Sequence, residues 1–91
     1  MEFEWDEEKN LSNILKHKVS FDEAQEAFFD ANRLITKDVK HSIGEDRYFC
    51  FGKVNGQVCT VRFTMRGKSI RIIGAGYWRE GRQKYEKQSK V

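Results

Sequence analysis

The sequence predicts an α+β fold, and three features of the chain support this class. Residues 2–5 alternate acidic and aromatic side chains, as a short strand does, and residues 6–29 carry helical spacing and capping signals. Residues 47–73 alternate apolar and polar side chains around an Asn-Gly pair, which is typical of a hairpin. We therefore predict an N-terminal strand, two helices on one face of an antiparallel sheet, and a C-terminal helix at the edge of that sheet.

Capping signals place the two N-terminal helices. Asp6 precedes an acidic first turn, which favours the start of a helix because the carboxylates complement the helix dipole. Ser20 and Glu23 have the S-x-x-E spacing of a capping box, so a second helix follows directly. Three apolar side chains recur along one face of the first helix: Leu11, Ile14 and Leu15.

The strongest turn signal is Asn55-Gly56, because both central residues of a type I′ hairpin turn need a positive φ. A two-residue loop there sets Cys50 opposite Val61 and turns both side chains to one apolar face. Cys59 lies on the same face but diagonal to Cys50, which is poor geometry for a disulfide. We therefore predict two reduced core thiols, with no metal site and no cofactor.

The second turn of the sheet falls around Arg66-Gly67 in this interpretation. It sets Phe63 opposite Ile70, and on the other face it sets Arg62 directly opposite Arg71. Like charges in that position destabilise a sheet unless an anion lies near them. A phosphodiester or an Asp or Glu side chain would serve, or both arginines could extend into water. Aromatic and guanidinium groups interleave on this face, which carries Arg47, Phe49, Phe51, Arg62, Thr64, Arg66, Arg71 and Ile73.

The stretch R-I-I-G-A-G-Y-W-R-E-G at residues 71–81 contains glycines that could suggest a phosphate loop. It does not match G-x-G-x-x-G, because Gly81 falls two residues late and an antiparallel hairpin precedes it. We predict that Gly76 turns the chain and that a helix runs from Tyr77 to about Gln88. This bend would bring Arg79 near the arginine-rich face.

Length and charge limit the classes of function. The chain has 91 residues and no linker-like stretch, so we predict one domain over residues 1–91 with an open rather than a buried site. The net charge is +3, and residues 62–90 hold nine Lys or Arg against two Glu, which favours an anionic partner. The chain shows no signal peptide and no apolar run long enough to span a bilayer, which predicts a cytoplasmic protein without membrane contact.

Of the two histidines, His17 suits the last turn of the first helix as a cation. His41 lies in a polar loop with Ser42 and Glu45, beside the arginine-rich face. It could act as an acid or base near neutral pH, or it could be an exposed loop residue without a role.

Three stretches resemble the BrnT family of type II toxin–antitoxin toxins: FEWDEEKNLSNILKHKVSFDEA, DVKHSIGEDRYFCFG and VRFTMRGKSIRIIGAG. The resemblance covers about residues 3 to 86, and it implies a RelE-like fold and ribonuclease activity. The F-E-W-D-x-x-K-N-x-x-N-x-x-K-H opening is specific, because neither composition nor periodicity requires it. The matching positions are Trp5, Asp6, Lys9, Asn10, Asn13, Lys16, His17, Ser20, Phe21, His41, Glu45, Arg47, Thr64, Arg66 and Arg71.

The resemblance implies a metal-independent endoribonuclease that cleaves RNA and inhibits translation. Arg66 and Arg71 would bind the scissile phosphate, and His41 or Glu45 would be the base. The family pattern R-I-I-S-A-R ends in an arginine, where this chain has Gly76, so Arg79 would assist the transition state instead. The expected RNA-binding residues are Arg47, Phe49, Phe51, Arg62 and Thr64.

The resemblance further implies a ribbon-helix-helix antitoxin as partner. The antitoxin would cover the basic face, and operator DNA would be bound only through the complex. The alternative is a catalytically inactive module that binds the antitoxin and nucleic acid and helps to repress its operon.

Overall fold

The computed structural model describes residues 1–88 and belongs to the α+β class that the sequence predicts. A short 3₁₀ helix over Gln25–Phe29 continues the second helix, and another, over Val39–His41, follows the second strand. The strands are β1 (Glu2–Glu4), β2 (Leu34–Lys37), β3 (Arg47–Val54), β4 (Gln57–Arg66) and β5 (Ser69–Gly76). The helices are α1 (Glu7–His17), α2 (Phe21–Ala24) and α3 (Arg79–Gln88).

The strands form one five-stranded sheet in the order β1-β5-β4-β3-β2. The pairs β2–β3, β3–β4 and β4–β5 are antiparallel, but β1 runs parallel to β5 over Glu2–Glu4. The sheet is therefore mixed, and the prediction of a purely antiparallel sheet is wrong at β1. A three-residue strand holds too few side chains to specify its partner.

Both predicted helix starts are confirmed. The Asp6 carboxylate accepts hydrogen bonds from the N–H groups of Glu8 and Lys9, at 2.8 and 3.4 Å. Ser20 and Glu23 form both arms of the capping box, each with a 3.0 Å hydrogen bond. These bonds satisfy N–H groups that a helix start leaves without partners.

The inner face of the sheet is the face covered by α2 and its 3₁₀ continuation. Its core includes Phe21, Cys50, Val61 and Ile72, all almost fully buried. Cys50 and Cys59 are free thiols in this core, as predicted. The helical backbone approaches the sheet so closely that a Cβ on Gly52 would lie 2.2 Å from the carbonyl oxygen of Ala27.

The buried side of α1 differs from the prediction, because Leu11 and Leu15 are exposed and the buried residues are Asn10 and Asn13. The Asn13 amide donates to the Ala75 carbonyl at 3.0 Å and accepts from the Ala75 N–H at 3.2 Å. The Asn13 amide therefore supplies the hydrogen bonds that a neighbouring strand would make to the part of β5 that extends beyond β1. Buried backbone groups need partners of this kind, which explains a buried amide on this helix.

The register between β3 and β4 is the predicted one, with Cys50 opposite Val61. The register between β4 and β5 is not. Arg66 pairs with Ser69, so the turn residues are Gly67 and Lys68, and φ is +61° at Gly67.

A shift in the β4–β5 ladder follows next to Phe63, which faces Ile72, whereas Arg62 faces Gly74. Ile73 is the extra residue of this bulge, and Arg71 lies opposite Thr64. The prediction that Arg62 lies opposite Arg71 is therefore wrong. The β4–β5 turn was predicted one residue too early, and a run of β-branched residues gives no sequence signal for a bulge.

The outer face, opposite the inner one, is partly covered by α3. Phe51, Val58 and Tyr85 form a small buried cluster between this helix and the sheet. The helix begins at Arg79 rather than Tyr77, and it packs across β3 and β4 rather than at the sheet edge. The apolar side chains on this part of the outer face provide the surface that it covers.

Candidate functional site

The arginines of the outer face lie beside carboxylates. Arg62 Nη2 is 3.6 Å from Asp38 Oδ2, and Arg71 Nη1 is 2.7 Å from Glu4 Oε2. Glu45 lies between Arg47 Nε and Arg66 Nη2, with its nearest oxygens 3.9 Å from each. Of the alternatives left open by the sequence, the structure shows the one in which Asp and Glu side chains balance the guanidinium groups.

A histidine, an aspartate and an arginine meet at one end of this face. His41 Nδ1 lies 2.9 and 3.1 Å from the two carboxylate oxygens of Asp38, which is only 5 % exposed. Because a carboxylate accepts hydrogen bonds, Nδ1 carries the proton and the lone pair of a neutral ring is on Nε2. The His41 side chain is about half exposed, so a substrate can reach it.

Hydrogen bonds hold the loop that carries this pair. Ser42 Oγ donates to the Asp38 carbonyl at 2.6 Å and accepts from the Arg47 N–H at 3.0 Å. The Asp38 N–H donates to the Arg47 carbonyl at 2.8 Å. Asp38 and His41 are therefore fixed to the end of β3 although their own 3₁₀ helix is short.

Asp38 is not among the residues that the sequence predicts for the site. Its signal was the D-V-K-H spacing directly after a strand, which brings the first and fourth side chains together on one turn of helix. The other carboxylate candidate, Glu45, is paired with arginines and lies in a separate part of the same loop.

A basic cleft of about 300 Å³ lies beside Arg62, between α1 and the outer face. Its α1 wall comes from Lys9, Lys16 and His17, which share one side of the helix because they are seven and eight residues apart. The K-N-x-x-N-x-x-K-H stretch thus contributes both to the buried interior and to the wall of the cleft. The two asparagines make buried hydrogen bonds, and the lysines and His17 line the cleft.

Trp78 closes the other side of this cleft. Its indole packs edge-on to the ring of His17, with centroids 5.0 Å apart, and it lies across Gly76. A Cβ on Gly76 would be 2.6 Å from the Trp78 ring. Gly76 is the last residue of β5, pairs with Thr60 of β4 and has no positive φ. The prediction that it turns the chain is therefore wrong. The indole fills the space above Gly76.

Arg79 does not reach the predicted place. It lines a different cleft, of about 400 Å³, together with Lys53, Gln57 and Arg82 beside the first hairpin turn. Arg66 is at the opposite end of β4, so the structure separates the two arginines.

The predicted RNA-contacting residues also differ in accessibility. Phe51 is buried under α3 and its ring stacks on Phe49, which remains half-buried. Thr64 is buried, and its hydroxyl donates to the Asp46 carbonyl at 2.6 Å. Arg47 and Arg62 stay about one third exposed. The structure thus brings His41 and Arg62 together at Asp38, and Arg47 and Arg66 together at Glu45. It removes Phe51 from the accessible surface.

Within residues 1–88, no group of three or more His, Cys, Asp or Glu side chains is arranged to hold a metal ion. No helix in that part of the chain is long and apolar enough to cross a membrane.

Comparison with known proteins agrees with the sequence resemblance. No curated protein matches the chain. Residues 5–81 match a protein family described as the ribonuclease toxin, BrnT, of type II toxin–antitoxin systems. The matched range includes α1, the D-V-K-H turn, all of β2 to β5 and Trp78. The chain therefore belongs to the BrnT family of ribonuclease toxins of type II toxin–antitoxin systems.

Proposed function

We propose that this toxin is a metal-independent endoribonuclease that inhibits translation by cleaving RNA on the outer face of its sheet. The observation that carries the proposal is the contact of His41 Nδ1 with the buried Asp38 carboxylate at 2.9 Å, beside Arg62. A histidine oriented by a carboxylate, next to a cation, has the groups that phosphodiester transfer needs.

In the proposed reaction, His41 Nε2 accepts the proton of a ribose 2′-hydroxyl. The 2′-oxygen then forms a bond to the adjacent phosphorus, and the bond from phosphorus to the 5′-oxygen breaks. The leaving oxygen takes a proton from solvent, and the protonated His41 returns its own proton to solvent, which restores the base. The products are a 2′,3′-cyclic phosphate and a 5′-hydroxyl, so atoms and charge balance without a co-reactant.

Two arginines would stabilise the charge of the phosphorane. Arg62 contacts Asp38, and Arg47 lies on the next strand with its buried Nε lacking a hydrogen-bond partner. A phosphate oxygen would supply that partner, and hydrogen bonds to a developing oxyanion lower the barrier. Lys9 and Lys16 would bind the neighbouring phosphates in the basic cleft.

The other predicted catalytic residues take different places in this proposal. Arg71 pairs with Glu4, and Glu45 lies between Arg47 and Arg66. We therefore assign Arg71 and Glu45 a positioning role, in which they hold the other side chains of the arginine-rich face in place. Arg66 is more than half exposed and would contact the RNA backbone beyond the cut. Arg79, in its separate cleft, would contact RNA further along the strand.

A type II toxin has a protein antitoxin as partner. We propose that this antitoxin is a ribbon-helix-helix protein that covers the outer face, and that the complex binds operator DNA. We also propose that the fold is RelE-like, as the family resemblance implies. Acidic antitoxin side chains would compete with Asp38 and Glu45 for the arginines. Opposite charges on the two surfaces would favour this association.

The test is cleavage of a labelled single-stranded RNA in EDTA by purified protein, with end-group analysis of the products. We expect cleavage to persist in EDTA and His41→Gln to reduce the rate about 10²- to 10⁴-fold. The matched control is Lys40→Gln, which changes an exposed neighbour on the same 3₁₀ helix and should keep the rate. Loss of cleavage in EDTA with recovery in Mg²⁺ would refute metal independence.

The inactive-module alternative gives a different result. If induction of the wild-type chain arrests growth and His41→Gln does not, the toxin acts through cleavage. Equal arrest by both, with no RNA cut, would favour the binding module.

A further inference from the structure

A third cleft lies on the outer face, between the sheet and the first turns of α3. Its volume is about 160 Å³, close to the roughly 150 Å³ that hold a benzene-sized ligand. It is too small for a drug-sized ligand but large enough for one flat ring. The lining side chains include Phe49, Phe51, Thr60, Trp78, Glu80 and Lys84.

A buried hydroxyl without a hydrogen-bond partner lies in this cleft. Thr60 is 5 % exposed, and its Oγ1 has no partner. Gly81 leaves room for it, because a Cβ there would lie 2.0 Å from Oγ1. Among the described residues, the only other buried side-chain atom in this state is Arg47 Nε, also on the outer face. Buried polar groups are almost always paired, so this hydroxyl points to a missing ligand group.

The walls of the cleft suit a flat heterocycle. The rings of Phe49 and Phe51 are stacked with centroids 5.8 Å apart, and the indole of Trp78 is 39 % exposed. At the rim, Lys84 Nζ lies 3.4 Å from Glu80 Oε1, which places a donor and an acceptor at the entrance. Nucleobases combine an aromatic face with hydrogen-bonding edges, and single-stranded RNA is recognised through both.

We propose that this cleft binds one unstacked nucleobase of the RNA substrate. The base lies against Trp78 and Phe49, and the Thr60 hydroxyl bonds to its edge. Trp78 also lines the basic cleft beside Arg62, so the base belongs to a nucleotide next to the phosphates bound there. The cleft thereby selects the base near the cut. This inference rests on the proposed function, because it takes RNA as the ligand.

The experiment measures binding without cleavage, in the His41→Gln background. Fluorescein-labelled pentanucleotides of A, C, G or U are titrated against the protein and followed by anisotropy. We expect unequal affinities for the four bases. Trp78→Ala should weaken the best one about 5- to 100-fold, the range of one lost stacked base. Trp5→Phe is the matched control, because Trp5 packs on Phe21 on the inner side and should leave binding unchanged.

Thr60→Val removes the hydroxyl and keeps the shape of the side chain. We expect it to fold, since it deletes an unpaired polar atom from a buried site, and to reduce the difference in affinity among the four bases. In the chain that retains His41, the same substitution should change which base stands next to the cut. Unchanged base preference in both Thr60→Val and Trp78→Ala would overturn the proposal.

The two proposals can fail separately. Base-selective binding that Thr60→Val abolishes, in a wild-type chain that cuts no RNA, would refute the nuclease and keep the cleft. RNA cleavage with the same base preference in wild type and Thr60→Val would keep the nuclease and refute the cleft.

Discussion

The two faces of the sheet are built by the same strands but are stabilised in different ways. On the inner face, Cys50, Val61 and Ile72 pack with almost no exposed surface against α2 and its 3₁₀ continuation. On the outer face, Arg62, Arg71 and their neighbours are only partly buried and lie beside carboxylates. The alternation of a strand places these two environments one residue apart.

The two faces of this small domain therefore depend on different interactions. The inner face depends on close packing, which tolerates little change in volume. The outer face carries ion pairs that are partly in water, and such pairs contribute little to stability. A change on the inner face should therefore affect stability, and a change on the outer face should affect function.

The largest expected effect on stability is at Gly52 on the inner face. In Gly52→Ala the new Cβ would lie 2.2 Å from the Ala27 carbonyl oxygen, and backbone rather than a side chain must move. We expect a loss of about 3 kcal/mol or more in the free energy of unfolding, measured by urea denaturation.

Gly74→Ala on the outer face is the control for this prediction, because a Cβ there meets open space. It should change the free energy of unfolding by about 1 kcal/mol at most. Equal losses from the two substitutions would contradict the difference between the faces.

A smaller effect, about 2 kcal/mol in total for two buried thiols, is expected over the first pH unit above 9. Burial raises the pKa of Cys50 and Cys59 from 9.0 to about 12. The unfolded chain releases these protons at a lower pH than the native protein does. The contribution of the two thiols to the free energy of unfolding is therefore fully present below pH 9 and is lost as the pH rises towards 12. We expect the unfolding free energy to fall by about 1 kcal/mol per pH unit for each thiol over this interval.

Denaturation of the Cys59→Ala chain across the same pH range sharpens this prediction, because the decline should become shallower. Tyr85 on the outer face contributes only at higher pH, since its pKa rises from 10.0 to about 12 through burial and its hydrogen bond to Asp30. A decline that starts only near pH 10 in wild type would show that the thiols do not contribute.

The smallest effect is expected at Gly76 on the outer face. The Cβ of Gly76→Ala would meet the far end of the Trp78 ring at 2.6 Å, and this ring is 39 % exposed and able to move. We expect a loss of about 1 kcal/mol or less by urea denaturation.

The double variant Gly76→Ala with Trp78→Ala tests the cause of that loss. Adding Gly76→Ala to a chain that already carries Trp78→Ala should cost less than adding it to wild type, because the clashing ring is gone. An equal cost in both backgrounds would assign the effect to the backbone instead.

Local signals in the sequence determined much of this fold. Asp6 and the Ser20–Glu23 box fixed where the first two helices begin, because a cap depends on residues that are close in the chain. Asn55-Gly56 fixed the β3–β4 register for the same reason, since a two-residue turn determines every pair that follows it. These predictions concern groups within a few residues of each other, and the structure confirms them.

The tertiary structure alone decided the features that join distant segments. The partner of β1, the bulge at Ile73 and the contact of Asn13 with Ala75 all depend on residues far apart in sequence. The site has the same origin. The D-V-K-H spacing joins Asp38 to His41 locally, but only the folded chain brings Arg62 to this pair. Propensity and spacing act over a few residues, whereas the position of a buried carboxylate depends on the packing of the whole sheet.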